Sequence, residues 1–301
     1  MSSYKTQFGE CICGDSKELI KTLENSSVDL FITSPPYPLI NPKEYGNKSQ
    51  EEYNDWLLEF IGLMIPKLTP TGSIVIDFGT SYLKNKPSYN IYSFELLVRM
   101  VKELNLNLCQ PFYWYNPSRL PYPSMYVCRR KIRAKDNVNN LWWLSPNENP
   151  KADTTKVLKK YSKSMKKYFK KKSPTDTTFQ KNKGALPSNL LEMANADNKS
   201  QYLQACRKLG IKYHPARFPT ALPEFFVKFL TDENDFVVDI FGGSNTTGYV
   251  CEALGRRWKT FEMSREYVAA SAFRFIRDIN NAQLCYDTIM NSNITVDITQ
   301  F

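Results

Sequence analysis

Apolar positions along the chain fall into two patterns, one with the period of a helix and one of short continuous runs. Asp15 and Glu18 form a capping box ahead of Leu19, Ile20 and Leu23, which predicts a short helix, and the run at 28–32 predicts a buried strand after it. Ser49 and Glu52 form a second box; Tyr53, Trp56, Leu57, Phe60, Ile61, Met64, Ile65 and Leu68 then share one helical face. Gly72 leads into a strand at 73–78, Phe94, Leu97, Val98 and Val101 suggest a further helix, and 108–115 reads as another strand. Past residue 128 the alternation stops, and prolines, polar stretches and basic runs continue to about residue 210. It resumes with a helix at 223–230, a strand at 236–240, a glycine-rich turn, a helix at 249–254, a strand at 258–261 and a helix at 265–279. Helices between apolar strands predict a doubly wound, mostly parallel α/β sheet, split by an insertion into units 1–128, 129–210 and 211–301.

Composition narrows the chemistry. With 301 residues, 42% apolar and 14% aromatic, fibrous and wholly disordered classes are excluded. One histidine, His214, cannot build a His-rich metal site, and seven scattered cysteines without a C-x-x-C pair support neither zinc nor a disulfide framework, so no metal is expected. The N-terminal segment lacks a secretory pattern and no run approaches the ~20 apolar residues of a spanning helix, so a cytoplasmic protein with no membrane partner is expected. Forty basic residues against thirty acidic ones leave a net charge of +10. Twelve lysines and two aspartates in residues 151–183 hold all of that excess, and the rest of the chain is neutral. Such a run is commonly a solvated loop; lying between the halves of an enzyme, it suits a polyanionic partner.

Two motifs carry chemistry. Asp239-Ile240-Phe241-Gly242-Gly243-Ser244-Asn245-Thr246-Thr247-Gly248 follows a strand, and Glu262 stands twenty residues beyond Gly242. Glycines let the backbone approach a ligand, and an acid at that distance suits ribose hydroxyls. The run is neither G-x-G-x-x-G nor a P-loop, which favours a nucleoside cofactor over a dinucleotide; alone, it is also compatible with an ordinary tight turn. The second motif, Thr33-Ser34-Pro35-Pro36-Tyr37, ends a buried strand in a rigid loop. Prolines leave carbonyls without a ladder partner, Ser34 adds an acceptor and Tyr37 a flat face, the parts needed to hold an amino group on a heterocycle. Alone, it too is compatible with an ordinary proline turn.

Together these motifs resemble the DNA amino-methyltransferases, specifically the circularly permuted β class of type II restriction-modification systems, in which an S-P-P-Y loop precedes the cofactor loop. The resemblance implies a Rossmann-like, seven-stranded sheet with an inserted target-recognition region, S-adenosylmethionine as cofactor, duplex DNA as substrate and a restriction endonuclease as functional partner. It implies catalytic roles for Ser34, Pro35, Pro36 and Tyr37, and cofactor contacts from Asp239, Phe241, Gly242, Gly243, Ser244, Asn245, Thr246, Thr247 and Glu262. Asn245 stands where the family more often has glycine, a position where asparagine's tolerance of left-handed geometry would serve. His214-Pro215-Ala216-Arg217-Phe218-Pro219 resembles the segment closing the cofactor pocket, through Phe218 and Pro219, and the stretch from Phe112 to Pro117 resembles the aromatic element beside a flipped base, with Trp114 and Tyr115 as stacking surfaces. The serine-first loop points to cytosine N4, and no cysteine follows a proline, which argues against C5 chemistry. In the insertion, Arg129, Arg130 and Arg133 are candidates for bases or phosphates, and Lys159, Lys160, Lys166 and Lys167 for phosphates. The Trp142-Trp143 pair reads as a small core. Alternatives are an N6-adenine enzyme on the same fold, an RNA methyltransferase, and a non-catalytic DNA-binding protein.

Overall fold

The structure, a computed structural model, describes residues 3–38, 52–171, 184–195, 197 and 199–301. Its strands are β1 (Ser3–Lys5), β2 (Gly9–Cys13), β3 (Val28–Thr33), β4 (Leu68–Phe78), β5 (Asn107–Tyr115), β6 (Val138–Ser145), β7 (Leu190–Glu192), β8 (Phe236–Asp239), β9 (Arg257–Glu262) and β10 (Thr295–Asp297). They form one sheet in the order β10-β1-β2-β9-β8-β3-β4-β6-β5-β7. Only β1/β2, β4/β6 and β6/β5 pair antiparallel. Ten strands among the described residues stand where seven were expected, and the difference is β1, β7 and β10, each of three residues, too short to show a period.

β3 and β4 read as continuous apolar runs because both faces of the sheet are covered. Helices α1 (Ser16–Lys21), α2 (Tyr53–Met64) and α3 (Tyr92–Glu103) pack on one face with Phe31, Ile74, Ile76 and Phe78. Between β6 and β7 in the chain lies α4 (Lys163–Lys171). On the other face α5 (Gln201–Leu209), α6 (Ala221–Leu230), α7 (Thr246–Ala253), α8 (Arg265–Ser271) and α9 (Ala282–Asn291) cover Leu30, Ile32, Val75 and Val237. None of these described helices is long and apolar enough to cross a membrane.

Several local expectations change. Asp15 caps α1 by accepting from the Lys17 amide, but Glu18 pairs with Lys21 instead of closing the box. Ser49 lies outside the described residues, and Glu52 starts α2 without a side-chain cap. α3 buries Tyr92, Leu96 and Met100 while Phe94, Val98 and Val101 face solvent; both stripes have helical spacing, and periodicity cannot choose between them. The helix expected at 265–279 stops at Ser271. Residues 138–145, expected within the insertion, enter the sheet: Trp142 packs into the core on one face and Trp143 into the core on the other.

The topology sets the position of the functional edge. β3 and β8 are parallel neighbours, with Leu30 opposite Val237 and Phe31 opposite Val238. From this pair β9 continues to one side and β4 to the other, so the winding reverses between them, and ligands bind at the carboxyl ends of such strands. Phe78 lies opposite Asn140 and Tyr115 opposite Val138, so the connection 116–137 emerges at the same edge. The start of the lysine-rich stretch lies at the opposite edge. There the Lys151 amide donates to the Thr71 carbonyl, its ammonium pairs with Asp235 at 2.6 Å, and Lys156 pairs with Asp232.

Candidate active site

β3 delivers the proline loop directly to the functional edge. The Ser34 hydroxyl donates to Asp77 Oδ2 at 3.1 Å, the Tyr37 phenol donates to the same oxygen at 2.9 Å, and the two hydroxyls lie 3.0 Å apart. The Tyr37 ring lies over Gly79, where any side chain would overlap it, so a glycine is required at the end of β4. Asp77 is itself buried, and the Asn139 amide donates to its second oxygen at 2.9 Å. Burial pushes the Asp77 carboxyl above its usual range, against the pull of Asn139, Tyr37 and Ser34. Burial, then the Asp77 charge, holds the Tyr37 phenol well above its ordinary value. A polarised hydroxyl on a buried carboxylate can accept a hydrogen bond from an amino group and pass a proton inward.

Next to it, β8 ends in the glycine turn. Gly242 Cα faces Thr260, and Gly243 takes φ +52 with the His214 ring against it. Glu262, half-buried at the end of β9, accepts from the Gly243 amide at 2.9 Å and from the Ser264 amide at 2.8 Å. Burial raises its carboxyl against the pull of the Ser264, Gly243 and Met263 amides, and a carboxylate's roughly four acceptor sites leave room for a further donor. Phe241 packs against Trp56 and Phe60. A cavity of about 470 Å³ opens beside the turn, lined by Thr246, Phe218, Pro219, Arg217, Asn195 and Tyr249 among others.

The two motifs are joined chemically as well as by register. The Thr33 hydroxyl, one residue before Ser34, donates to Asp239 Oδ1 at 2.7 Å, while Asp239 Oδ2 accepts from Thr247 at 2.7 Å. Asp239 and Thr247 are both buried, and their hydrogen bonds brace the turn from beneath. Asn245 also turns inward. At φ 53 and ψ 46 it caps α7 through Gly248 and donates to the Tyr4 hydroxyl at 2.8 Å, so the asparagine supplies both the left-handed turn and the cap. Ser244 is buried under the Arg274 guanidinium, which donates to its carbonyl at 2.6 Å.

The aromatic pair divides. Trp114 is 4% exposed and donates its indole N–H to the Met193 carbonyl, so it belongs to the core and offers no stacking face. Tyr115 is half-buried at the end of β5. Among the basic candidates, Arg129 is exposed, Arg130 lies over the Tyr126 ring, and Arg133 spends its fork on the Pro87 carbonyl. Lys159, Lys160, Lys166 and Lys167 are exposed. Sequence reasoning passed over Asp77 and Asn139; the available signal was a carboxylate inside the apolar run 74–78 of β4. Among the described residues, no group of three or more His, Cys, Asp or Glu side chains could hold a metal ion.

Comparison with known proteins agrees with this geometry. A family model for N6/N4 DNA methylases matches residues 28–273. The type II methyltransferase M.PvuII of Proteus hauseri is 48% identical, over 96% of this chain and 91% of that one. The solved PvuII DNA methyltransferase, described as cytosine-N4-specific, superposes with a TM-score of 0.85 at 45% identity, covering 99% of this chain and 98% of that one. M1.HpyAVI in complex with SAM shares the fold at a TM-score of 0.56 and 21% identity, over 90% of this chain and 98% of that one.

Proposed function

The chain belongs to the N6/N4 DNA methylase family, and from that membership we propose that it methylates the exocyclic N4 of a cytosine in duplex DNA. It would do so with S-adenosylmethionine, as the modification partner of a type II restriction endonuclease. The observation that carries the reading is the junction at β3 and β8: Ser34 follows the threonine whose hydroxyl holds Asp239 beneath the glycine turn. The acceptor loop precedes the cofactor loop in sequence, the order of the permuted β class.

The residues present fit the cofactor. Glu262 retains acceptor capacity for ribose hydroxyls, and Phe218, Pro219 and Thr246 line the adjacent cavity. When bound, S-adenosylmethionine supplies an electrophilic methyl group.

The remainder of the chemistry belongs to the chain. A base inside a duplex hides its amino group, so the nucleotide must be extruded, at about a few kcal/mol. Tyr37 and Tyr115 are the aromatic surfaces left to receive it once Trp114 is assigned to the core. The Ser34 lone pair and the Pro35 carbonyl hold the amino hydrogens and stabilise positive charge as it develops on nitrogen. Methylated N4 must shed one proton; it passes to Ser34 Oγ as the serine's own proton passes to Asp77. Arg129 and Arg130 at the functional edge, with Lys159, Lys160, Lys166 and Lys167, supply phosphate contacts.

The test is incubation of duplex DNA with labelled S-adenosylmethionine, followed by mass spectrometry of the nucleosides. N4-methylcytosine is expected; N6-methyladenine would establish the alternative on the same fold, and no labelled base would overturn the assignment.

A further inference from the structure

We propose that Leu120 is a wedge, entering the duplex as the target nucleotide leaves it and filling the gap beside the catalytic pocket; this rests on the DNA-methylation reading. Leu120 is 81% exposed, more than any other large apolar side chain among the described residues. Its position is what makes that exposure informative. It lies in the connection between β5 and β6, at the edge that carries the carboxyl ends of β3 and β4. Its neighbour Arg119 donates to Asn139 Oδ1 at 2.8 Å, Asn139 donates to Asp77, and Asp77 accepts from Ser34. Three hydrogen bonds therefore link the residue next to Leu120 with the catalytic serine.

The connection is built to hold such a tip. Pro117, Pro121 and Pro123 restrict the backbone, the Asn116 amide donates to the Asn137 carbonyl at 2.8 Å, and Lys135 donates to the Pro117 carbonyl at 3.1 Å. Tyr126 packs on Tyr82, which packs on Tyr89, whose hydroxyl donates to Asp136 at 2.5 Å. Tyr82 follows Ser81, and the Ser81 hydroxyl donates to the Pro38 carbonyl, one residue past the proline loop. The connection that carries the tip is thus closed on itself at its base and packed through Tyr126 on the segment that holds the end of the proline loop.

Charge selects the occupant. Residues 119–135 contain six cations (Arg119, Arg129, Arg130, Lys131, Arg133 and Lys135) and no acid. Asp136, the one acid of the connection 116–137, is buried and accepts from Tyr89, so an apolar tip on a loop of net positive charge suits a partner with an anionic exterior and a stacked apolar interior, which is duplex nucleic acid. Extruding one nucleotide leaves two base pairs unsupported across a gap, and an inserted leucine restores part of the lost contact.

The experiment uses the full-length enzyme and two duplexes carrying its motif, which modified-base sequencing of DNA from expressing cells would identify. One duplex pairs the target base normally; the other has an abasic site opposite it, so that extrusion is already cheap. On the paired duplex, Leu120→Ala should slow single-turnover methylation by about tenfold or more. On the unpaired duplex it should run within about twofold of the wild type, and Leu120→Phe should restore most of the rate on the paired one. Ser34→Ala should fail on both. Wild-type rates for Leu120→Ala on the paired duplex, or equal losses on both duplexes, would overturn the wedge while leaving the methyltransferase reading intact. Absence of methylation by the wild-type enzyme on either duplex would overturn that reading itself.

Discussion

Replacing Asp77 by Asn tests the proton path most directly, because shape is kept while charge is removed. The asparagine carbonyl can take the Asn139 amide, and its NH2 can meet Ser34 and Tyr37, whose hydroxyls can turn to accept. The loss is then electrostatic. Asp77 lies 3.1 Å from Ser34 Oγ, and a second hydrogen bond of about 2.9 Å from Ser34 would place the amino nitrogen about 6 Å from the carboxylate. At an effective dielectric of about 20, a full charge at that separation contributes about 2.8 kcal/mol, roughly a hundredfold in rate. Single-turnover methyl transfer from labelled S-adenosylmethionine should show that fall, with cofactor affinity by calorimetry unchanged. The wild-type rate should also decline on the acid side at a pH above the ordinary carboxylate range, since burial raises Asp77, and the variant should lack that limb. Stability should move the other way. A carboxyl whose folded pKa is raised binds more protons in the folded chain, so wild-type stability falls as pH rises through that range. Asp77→Asn should therefore melt higher at neutral pH, with the advantage vanishing below the unfolded carboxylate pKa. A rate within about threefold of wild type, or a parallel loss of cofactor affinity, would refute Asp77 as the proton acceptor.

Glu262→Ala should weaken S-adenosylmethionine binding by about tenfold or more, the loss of hydrogen bonds to a charged group at about 1.5–3 kcal/mol, and unchanged calorimetric affinity would sink that assignment. Asn245→Gly keeps the left-handed turn but loses the cap on α7 and the Tyr4 bond, so urea denaturation should show a loss of about 1 kcal/mol. Asn245→Ala should lose more by about 1 kcal/mol of backbone strain, and the reverse order would contradict this account of the turn. The double substitution Arg129→Gln and Arg130→Gln should lower DNA affinity at low salt and reduce the slope of log affinity against log salt by about 1.8, leaving cofactor binding unchanged; an unaltered slope would remove both from the phosphate contacts.

Both loops of the site were legible in the sequence because each compresses its signal into a few adjacent residues, Ser34 to Tyr37 and Phe241 to Thr247. Their proximity was not, since it depends on β3 pairing with β8. Nor does sequence say which way a side chain turns within a loop: Asp239, Asn245 and Thr247 sit at motif positions yet point into the protein. Asp77 and Asn139 were missed because a single polar residue on a strand carries no pattern of its own, and its meaning comes from which side chain of the neighbouring strand reaches it. Summed charge is likewise silent about placement. The lysine-rich stretch holds the numerical excess, but Lys151 and Lys156 are paired with acids at the far edge. The six cations of 119–135 stand at the functional edge, and acids elsewhere hide them in the total.

The hydroxyl of Thr33 finds its carboxylate 206 residues later in the chain. During synthesis at about 5–20 residues per second, the proline loop therefore emerges roughly 10–40 s before the strand that completes its setting. No amino-terminal fragment can be active before then, however well its own helices form. Nonsense and frameshift products ending before β8 should be inert, and most of the time between initiation and a working enzyme is set by translation and by closing one long-range contact.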